Sequence, residues 1–503
     1  MHILKPLSFR QKLGLLLTVA LSVAIAVVGF SCGGGSTPMM NSGMGTVAVT
    51  VSDPPSCAAP AGAAPASIPS GSFSSVWITI RSIQAHTSST ATDNSPGWQE
   101  LAPQLASAPA QVDLLHLPAQ GQCLLEQLGS TSLPAGDYQQ IRLILLANAA
   151  PTGAAPPSNA CASLGSVFNC VVDSTGMHTL DLSSEANTGL KIPPGQIMGG
   201  PIHVAAGQSV DLNIDFNTCA SILKQGNGDF RLKPTLTAGV VSANTSGISG
   251  QIVDSVTSQP IVGAMVTLQF PDKSGTDRIA MQELTDSTGH FSFCPLPAGA
   301  VFDVVADAIT SAGTAYDVTV VFNINGGSNL GAVPLVAETP AMAGASTGPG
   351  KIQGAVTAIN GMAGASIDVT ASALQSVTVS STSHTFTVPL FSGSNSSIQV
   401  TSSMSCPMGS PMGAFCASYS LVVPASNPNV GTFAAGKVTF AAPASGAVLY
   451  SVEADATNPM SNAAICSPSS QTISKDSSTT PQPLAVTPGA TTNAARIDFS
   501  GCS

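Results

Sequence analysis

The fold class is decided by a seven-residue stretch, VDLNIDF, at Val210–Phe216. Apolar and polar residues alternate through it without a break, as in a β-strand with one buried face. Two earlier stretches, TVAVTV at Thr46–Val51 and VWITI at Val76–Ile80, also predict strands. We expect one face of each strand to be buried and the other to meet solvent or a ligand, with Asp211 and Asp215 on a solvated face.

The composition extends this prediction to the whole chain. The 503 residues include 48 glycines and 37 prolines, which would interrupt long helices. Only 8% of the residues are charged, and the formal net charge is -11 with 15 Lys and Arg. So few basic residues cannot neutralise a phosphate backbone, and we expect no nucleic-acid partner. We predict an all-β protein, with serial β-sandwich domains behind an N-terminal signal and lipid anchor.

The N-terminus predicts export. A basic leader precedes a long apolar run, and Cys32 follows a small residue after that run. The arrangement resembles the lipobox of bacterial lipoproteins, although Gly29 and Phe30 depart from its usual residue types. The resemblance implies a signal peptide over 1–31, a flexible tether over 32–45, and membrane lipid as a partner through Cys32. An uncleaved membrane anchor and plain secretion are the alternatives.

The cysteines indicate an oxidising compartment. Ten remain when Cys32 is set aside, an even number with no C-x-x-C pair, so we expect disulfides rather than a redox or zinc motif. The predicted pairs are Cys161 with Cys170, Cys406 with Cys416, and Cys466 with Cys502. The sequence does not assign partners to Cys57, Cys123, Cys219 and Cys294.

Turn residues and strand spacing divide the rest of the chain into three regions. We predict a first region at 46–241, a second at 247–337, a linker at 338–350 and a third region at 351–503. The third region contains several short strands separated by turn signals, and we interpret it as an immunoglobulin-like β-sandwich.

The first region carries the pieces of a family pattern in order. These are an opening strand with SDPP at 52–55, LPAGDYQQIRL at 133–143, the strand Val210–Phe216 and LKP at 232–234. On these pieces the region resembles the bacterial family called domain of unknown function 4382, which is common in exported lipoproteins. The resemblance implies a β-rich fold and export, and it implies no activity.

The second region carries four motifs: GQIVD at 250–254, PIVGAMVTL at 260–268, TDSTGHFSF at 285–293 and LPAG at 296–299. It resembles the carboxypeptidase regulatory-like domain, a transthyretin-like β-sandwich of the carbohydrate-binding-like fold. The resemblance implies an accessory module without catalytic residues, and we expect the region to fold alone. Phe291 and Phe293 should share a buried face, and Cys294 on the opposite face is available for a bridge to a neighbouring domain.

The sequence contains no convincing catalytic arrangement. Ser346 fits a G-x-S-x-G motif, but it lies in a proline-flanked linker, and Ser221 begins an S-x-x-K motif without its companion motifs. No two histidines lie within four residues of each other. Asp303 and Asp307 share one side of a strand, where a solvated face is again expected. We predict no catalytic residues, no cofactor and no metal.

Trp98 is the candidate ligand contact. It follows Pro96-Gly97 in a loop, and its flat ring could stack on a sugar or anchor the loop to the core. The expected function is a membrane-anchored extracytoplasmic protein that binds or presents, with polysaccharide or another envelope protein as its partner. The alternatives are a structural spacer or assembly partner of the cell envelope and, with least support, a hydrolase.

Overall fold

A computed structural model of the chain confirms an all-β protein. The structure describes residues 43–53, 73–120, 123–149, 154–182, 185–224, 229–233, 235–241, 247–297, 299–310, 313–338, 348–360, 367–401, 406–442, 444–458 and 465–502. The predicted signal peptide and Cys32 lie outside these residues. The described residues belong to one compact unit.

Seventeen strands are described in the first region: β1 (Met44–Ser52), β2 (Ser75–His86), β3 (Gln99–Glu100), β4 (Ala110–Asp113), β5 (Ala119–Gln120), β6 (Cys123–Pro134), β7 (Gly136–Tyr138), β8 (Gln140–Leu145), β9 (Cys170–Asp173), β10 (Gly176–Asp181), β11 (Leu190–Ile192), β12 (Ile197–Met198), β13 (Ile202–Val204), β14 (Ser209–Phe216), β15 (Ile222–Lys224), β16 (Phe230–Leu232) and β17 (Leu236–Val241). Its one described α-helix, α1, spans Thr218–Ser221. Four 3-10 turns are Pro103–Ala106, Leu114–His116, Ala162–Leu164 and Pro194–Gln196. None of the helices in the described ranges has the length and apolar character needed to span a bilayer.

Two sheets enclose the core of the first region. One has the order β12-β17-β14-β1-β6-β5, in which β1 runs parallel to β14 and antiparallel to β6. The other has the order β11-β8-β2-β9-β10-β16-β15, with β3 and β4 also paired to β2. Side chains from both sheets, including Val49, Ile78, Leu143 and Ile214, form one fully buried cluster. The alternation in the sequence therefore directs one face of each sheet inward.

Seven strands form the second region: β18 (Ile248–Asp254), β19 (Met265–Pro271), β20 (Thr276–Leu284), β21 (His290–Phe293), β22 (Val301–Asp307), β23 (Thr319–Asn325) and β24 (Asn329–Leu335). Thirteen are described in the third: β25 (Gly350–Asn360), β26 (Ile367–Val379), β27 (Thr382–Val388), β28 (Ser397–Val400), β29 (Phe415–Val423), β30 (Asn429–Ala434), β31 (Lys437–Phe440), β32 (Val448–Leu449), β33 (Ser451–Thr457), β34 (Ser470–Ile473), β35 (Ala485–Val486), β36 (Thr491–Asn493) and β37 (Ile497–Cys502).

One sheet is shared between the second and third regions. Its order is β31-β30-β23-β22-β19-β20-β27-β26-β33-β34, with β28 also paired to β26. Four strands of the second region are thus flanked on both sides by strands of the third. Both junctions are parallel pairings, β20 with β27 and β23 with β30. The smaller sheets are β21-β18-β24, β29-β25-β36 with β37 on β25, β13-β7 and β32-β35.

The cores of these two regions are shared as well. Val305, Val320 and Phe322 of the second region are fully buried in a cluster made mostly of third-region residues. A separate cluster around β18, β21 and β22 contains Phe291 and Phe293, whose ring centroids are 5.8 Å apart. The expected buried face of β21 is therefore present.

The structure contains disulfides between Cys161 and Cys170, Cys406 and Cys416, and Cys466 and Cys502. A fourth disulfide, Cys123–Cys294, joins the first region to the second. Sequence spacing could not assign that fourth pair, because its two cysteines lie 171 residues apart.

Three of the four aspartates expected on solvated strand faces are buried. Asp215 is 1% exposed, Asp303 8% and Asp307 0%, whereas Asp211 is half-buried. The expectation was wrong for these three residues, because an outward position on a strand is solvated only where no other part of the chain covers it. Asp215 accepts a hydrogen bond from the Ser52 hydroxyl at 2.7 Å, and Asp303 accepts one from the Asn323 backbone N–H at 2.9 Å. Burial raises the pKa of all three buried carboxyls.

Candidate functional site

A row of polar side chains crosses the outer face of the β29-β25-β36 sheet. Gln353 on β25 is paired with Ser420 on β29 and, on its other side, with Asn493 on β36. Neighbouring strands lie about 5 Å apart, so the three side chains span about 10 Å across the sheet. One step along the same face, Ala355 is paired with Ser418. Strand register therefore assembles this row from residues far apart in sequence.

Two loop residues turn the row into a cleft of about 490 Å³. Asn395 lines one side, and its backbone exchanges two hydrogen bonds with Ser420, at 2.6 and 3.0 Å. Ser477 lines the cleft from the segment next to β36, where its backbone N–H donates to the Asn493 carbonyl at 2.9 Å. The cleft thus has a regular sheet as its floor and hydrogen-bonded loops beside it.

The amide groups in the cleft keep donors and acceptors available. Gln353 Nε2 donates to Asn493 Oδ1 at 2.7 Å, and Asn395 Nδ2 donates to the Ser418 carbonyl at 3.2 Å. Within the described chain, Gln353 Oε1 and Asn493 Nδ2 have no protein partner, and both residues are exposed. An amide presents both a donor and an acceptor, and so does a serine hydroxyl. The cleft can therefore bind a ligand whose groups donate and accept in turn.

The lining of the cleft carries no charge. Its residues are Gln353, Gly354, Ala355, Asn395, Ser418, Tyr419, Ser420, Ser477, Asn493 and Ala494. Exposed apolar surface is also scarce in this lining, where Ala355 is the apolar side chain on the outer face of the paired strands. Among these lining residues a charged ligand would find no counter-ion, and an apolar ligand would find little surface to cover. These properties favour a neutral ligand rich in hydroxyl groups.

A close contact beneath the cleft holds its floor in register. Gly354 is paired with Tyr419, and a Cβ at Gly354 would lie 2.4 Å from the Tyr419 hydroxyl oxygen. Tyr419 is 1% exposed, and burial raises the pKa of its hydroxyl. Any larger residue at position 354 would therefore require the Tyr419 ring to shift.

Trp98 lies in the first region, apart from this cleft. Its indole Nε1 donates to the Thr92 carbonyl at 3.0 Å, and the Arg142 guanidinium lies 4.3 Å from the ring centroid. The His86 ring packs against it edge-on, with centroids 5.1 Å apart. These contacts attach the loop to β2 and β8. A role of Trp98 in ligand binding stays a prediction.

Of the two residues that matched catalytic motifs, the structure describes Ser221. Ser221 is 1% exposed, and its hydroxyl accepts a hydrogen bond from the Thr235 backbone N–H at 2.8 Å. Ser346 lies outside the described residues. Across the described ranges, no three His, Cys, Asp or Glu side chains come together in a metal-binding group.

Comparison with known proteins identifies one part of the chain. Residues 44–234 match a family described as Domain of unknown function (DUF4382). The match covers the first region, as its sequence motifs indicated. No curated protein matches the sequence.

Several solved structures resemble the chain at low identity. They include the TIE protein of Bacillus anthracis (9% identity, TM-score 0.15), with 91% of this chain and 51% of that chain covered. The minor pilin of Streptococcus agalactiae (9%, TM-score 0.15) is matched over 51% of this chain and 97% of its own. The shaft pilin SpaA of Lactobacillus rhamnosus GG (11%, TM-score 0.16) is matched over 59% and 100%. The chain spans about half the length of the Bacillus protein.

Sequence reasoning missed the cleft. Gln353, Ser420 and Asn493 stand in three separate segments and belong to no motif. The residue types gave one signal, because Asn, Gln and Ser recur on the outward positions of β25, β29 and β36. Only the pairing of these strands shows that the residues are neighbours.

Proposed function

We propose that this protein is an extracytoplasmic, non-catalytic binding protein of the cell envelope, and that its ligand is a neutral polysaccharide. The observation that carries the proposal is the uncharged row Ser420, Gln353 and Asn493, with Asn395 and Ser477 beside it. Sugar hydroxyls donate and accept hydrogen bonds, which matches the mixed groups of serine hydroxyls and side-chain amides.

Two further features support this placement and function. Disulfides persist in oxidising compartments, and four are present among the described residues. The second region resembles the carboxypeptidase regulatory-like domain, whose fold group includes carbohydrate binders. We also propose that Cys32 carries a lipid, so that membrane lipid is the attachment partner and the binding regions lie outside the membrane. The Cys32 proposal rests on the N-terminal sequence pattern.

The test is binding of neutral and anionic polysaccharides to the full chain, first on a glycan array and then by calorimetry. The double variant Gln353→Ala/Asn493→Ala removes the two amides at the centre of the row. Its affinity for a neutral glycan should fall by about tenfold or more, because two hydrogen bonds of about 1 kcal/mol each are lost. Gln208→Ala, an exposed glutamine of the first region, should bind like the wild type.

Trp98→Ala separates the cleft from the site predicted by sequence. If Trp98→Ala abolishes binding while the cleft variant does not, the ligand binds the first region and the cleft assignment is wrong. If only anionic polymers bind, the argument from the uncharged lining fails.

A second candidate function, a structural spacer, is favoured by the connections between regions. The second and third regions share a sheet, and the Cys123–Cys294 disulfide joins the first region to the second. Arg231 of the first region also forms a nearly buried ion pair with Asp368 of the third, at 2.5 Å. A spacer requires such rigid junctions, and a protein that binds no glycan but is needed to assemble the envelope would fit this function.

A further inference from the structure

The loop closed by the Cys406–Cys416 disulfide presents two methionines directly to solvent. Met408 is 101% exposed and Met412 99%, which makes them the most exposed large apolar side chains in the described ranges. Removing an apolar side chain from water stabilises the folded state, and two fully exposed methionines contribute none of that stabilisation. The stability of the fold therefore does not explain why both methionines are exposed.

The loop is built as a repeated turn. The tripeptide Pro-Met-Gly occurs at 407–409 and again at 411–413. The Ser410 N–H donates to the Pro407 carbonyl, and the Ala414 N–H donates to the Pro411 carbonyl, both at 3.1 Å. The third residue of each turn is a glycine with positive φ, as a type II turn requires.

These glycines are Gly409, with φ +81°, and Gly413, with φ +78°. Each turn therefore places its methionine at the same corner position, and the disulfide Cys406–Cys416 closes the base of the loop. The backbone of the loop thus forms a preorganised scaffold that carries the two methionines four residues apart. The conformational entropy of ordering this backbone is lost during folding and not on binding.

The chemistry of the loop selects a particular class of ligand. Residues 406–416 contain no charged side chain, no histidine and no carboxylate, so hard cations such as calcium or magnesium find no suitable donor. Thioether sulfur is a soft, polarisable donor that selects Cu(I) among biological metals. Both cysteines of the loop are in a disulfide, which leaves the methionine sulfurs as its soft donors.

We propose that Met408 and Met412 form a surface site for a soft monovalent metal ion, with Cu(I) as the biological ligand. The site is separate from the saccharide cleft and does not depend on the proposed function. Its affinity rests on the two thioethers held by the paired turns, so Leu, which is apolar and of similar volume, cannot replace Met in this role.

The experiment titrates Cu(I), kept reduced with ascorbate and competed with bicinchoninate, into the full chain after its free thiols have been alkylated. A parallel titration without ascorbate uses Ag(I), a soft monovalent ion that air does not oxidise. We expect one equivalent of each metal to bind, and Met408→Leu/Met412→Leu to weaken binding at least tenfold. Met44→Leu, a methionine that is 50% exposed outside the loop, is the matched control and should bind like the wild type.

Unchanged melting temperature in the double variant would show that the loss is not due to unfolding. Retention of full metal affinity in the double variant would overturn the proposal, and so would an equal loss in Met44→Leu. Failure of the wild-type chain to bind either ion would also overturn it. If the loop instead binds a protein through apolar contact, the wild type should bind no metal, and the double leucine variant should still bind that protein. This result would contradict the metal site.

Discussion

The core of the first region consists almost entirely of first-region residues, whereas the second and third regions share theirs. The main first-region cluster draws its buried residues from between Val47 and Ala238. In contrast, Val305, Val318, Val320 and Phe322 of the second region are buried among residues of the third. All three regions have comparable strand patterns in sequence. A region whose sequence matches a domain pattern is therefore an independent folding unit only when its strands pair with one another and not with strands of another region.

The two junctions differ in kind. Strand pairing and core packing join the second and third regions, through β20 with β27 and β23 with β30. The first region is attached to the second by one disulfide, by an isolated bridge between Val241 and Pro297, and by Met198, which is buried in the second-region cluster. Arg231 of the first region also pairs with Asp368 of the third. The first junction should therefore be part of folding itself, and the second should join parts that fold separately.

The largest expected effect comes from cutting at the predicted boundaries. We expect residues 43–241 to fold alone, because their core is complete without the rest of the chain. Residues 247–337 alone should show no cooperative thermal transition, since Val320 and Phe322 would lose the residues that bury them. A fragment of 247–503 should recover one sharp transition in calorimetry.

Cys123→Ser and Cys294→Ser should be included in these fragments, so that unpaired thiols do not confuse the result. A cooperative transition in the isolated 247–337 fragment would show that the shared sheet is not needed, and the second region would be the autonomous module that its sequence motifs imply.

Two buried phenylalanines sharpen the comparison in the full chain. Phe216 lies in the first-region core and Phe322 in the shared core, and both are 0% exposed. Each change to Ala should cost about 3–5 kcal/mol of unfolding free energy, because each empties a core site. Phe216→Ala should lower only the first-region transition, and Phe322→Ala should lower the transition of the second and third regions together. A single transition that moves equally in both variants would contradict separate folding.

A smaller effect is expected from an acidic pair beside the β20–β27 junction. Burial, reinforced by the neighbouring Asp303 carboxyl, raises the pKa of Asp277 to about 7, and burial raises that of Asp303 to about 6. Asp272 and His384 are the other titratable groups near Asp277, and the His384 charge partly offsets the rise. Between about pH 4 and pH 7 the folded protein holds protons that the unfolded chain has released, so the unfolding free energy falls as pH rises.

Asp277→Asn should reduce that fall between pH 4.5 and 7.5 by about 1 kcal/mol or more, measured by urea denaturation. Asp254→Asn is the control, because backbone hydrogen bonds from the 254–257 turn lower the pKa of Asp254 to about 2. The stability contributed by the Asp254 carboxylate is present above pH 4 and is lost only as pH falls toward 2. The unfolding free energy of Asp254→Asn should therefore change with pH between 4.5 and 7.5 as that of the wild type does. If the unfolding free energies of Asp277→Asn and the wild type change with pH in parallel, Asp277 and Asp303 do not titrate as proposed.

Local pattern was sufficient for the all-β class and for much of the strand set. The alternating residues at Thr46–Val51 and Val210–Phe216 lie in β1 and β14, and the disulfides Cys161–Cys170 and Cys406–Cys416 close short loops. These features depend on residues close in sequence, where side-chain periodicity and chain length limit the outcomes.

Pairing between distant segments could not be predicted in the same way. Nothing in the residues of β23 indicates that β30, more than a hundred positions later, lies beside it in parallel. The same limit hid the binding cleft, whose central row joins residues 353, 420 and 493. It also produced the wrong expectation for Asp215 and Asp307, because a polar residue at an outward position is solvated only if no other element covers it.

The Cys123–Cys294 bond has a consequence for cleavage of the chain by proteases. It closes the intervening chain, which includes most of the first region and half of the second, into a covalent ring. A single cut anywhere inside that ring opens it but releases no fragment, because both new ends stay attached through the sulfurs. Within residues 123–294, two cuts, or one cut followed by reduction, are needed before any part is lost. A nick between these two cysteines, which would divide a linear chain in two, therefore leaves this protein joined from end to end.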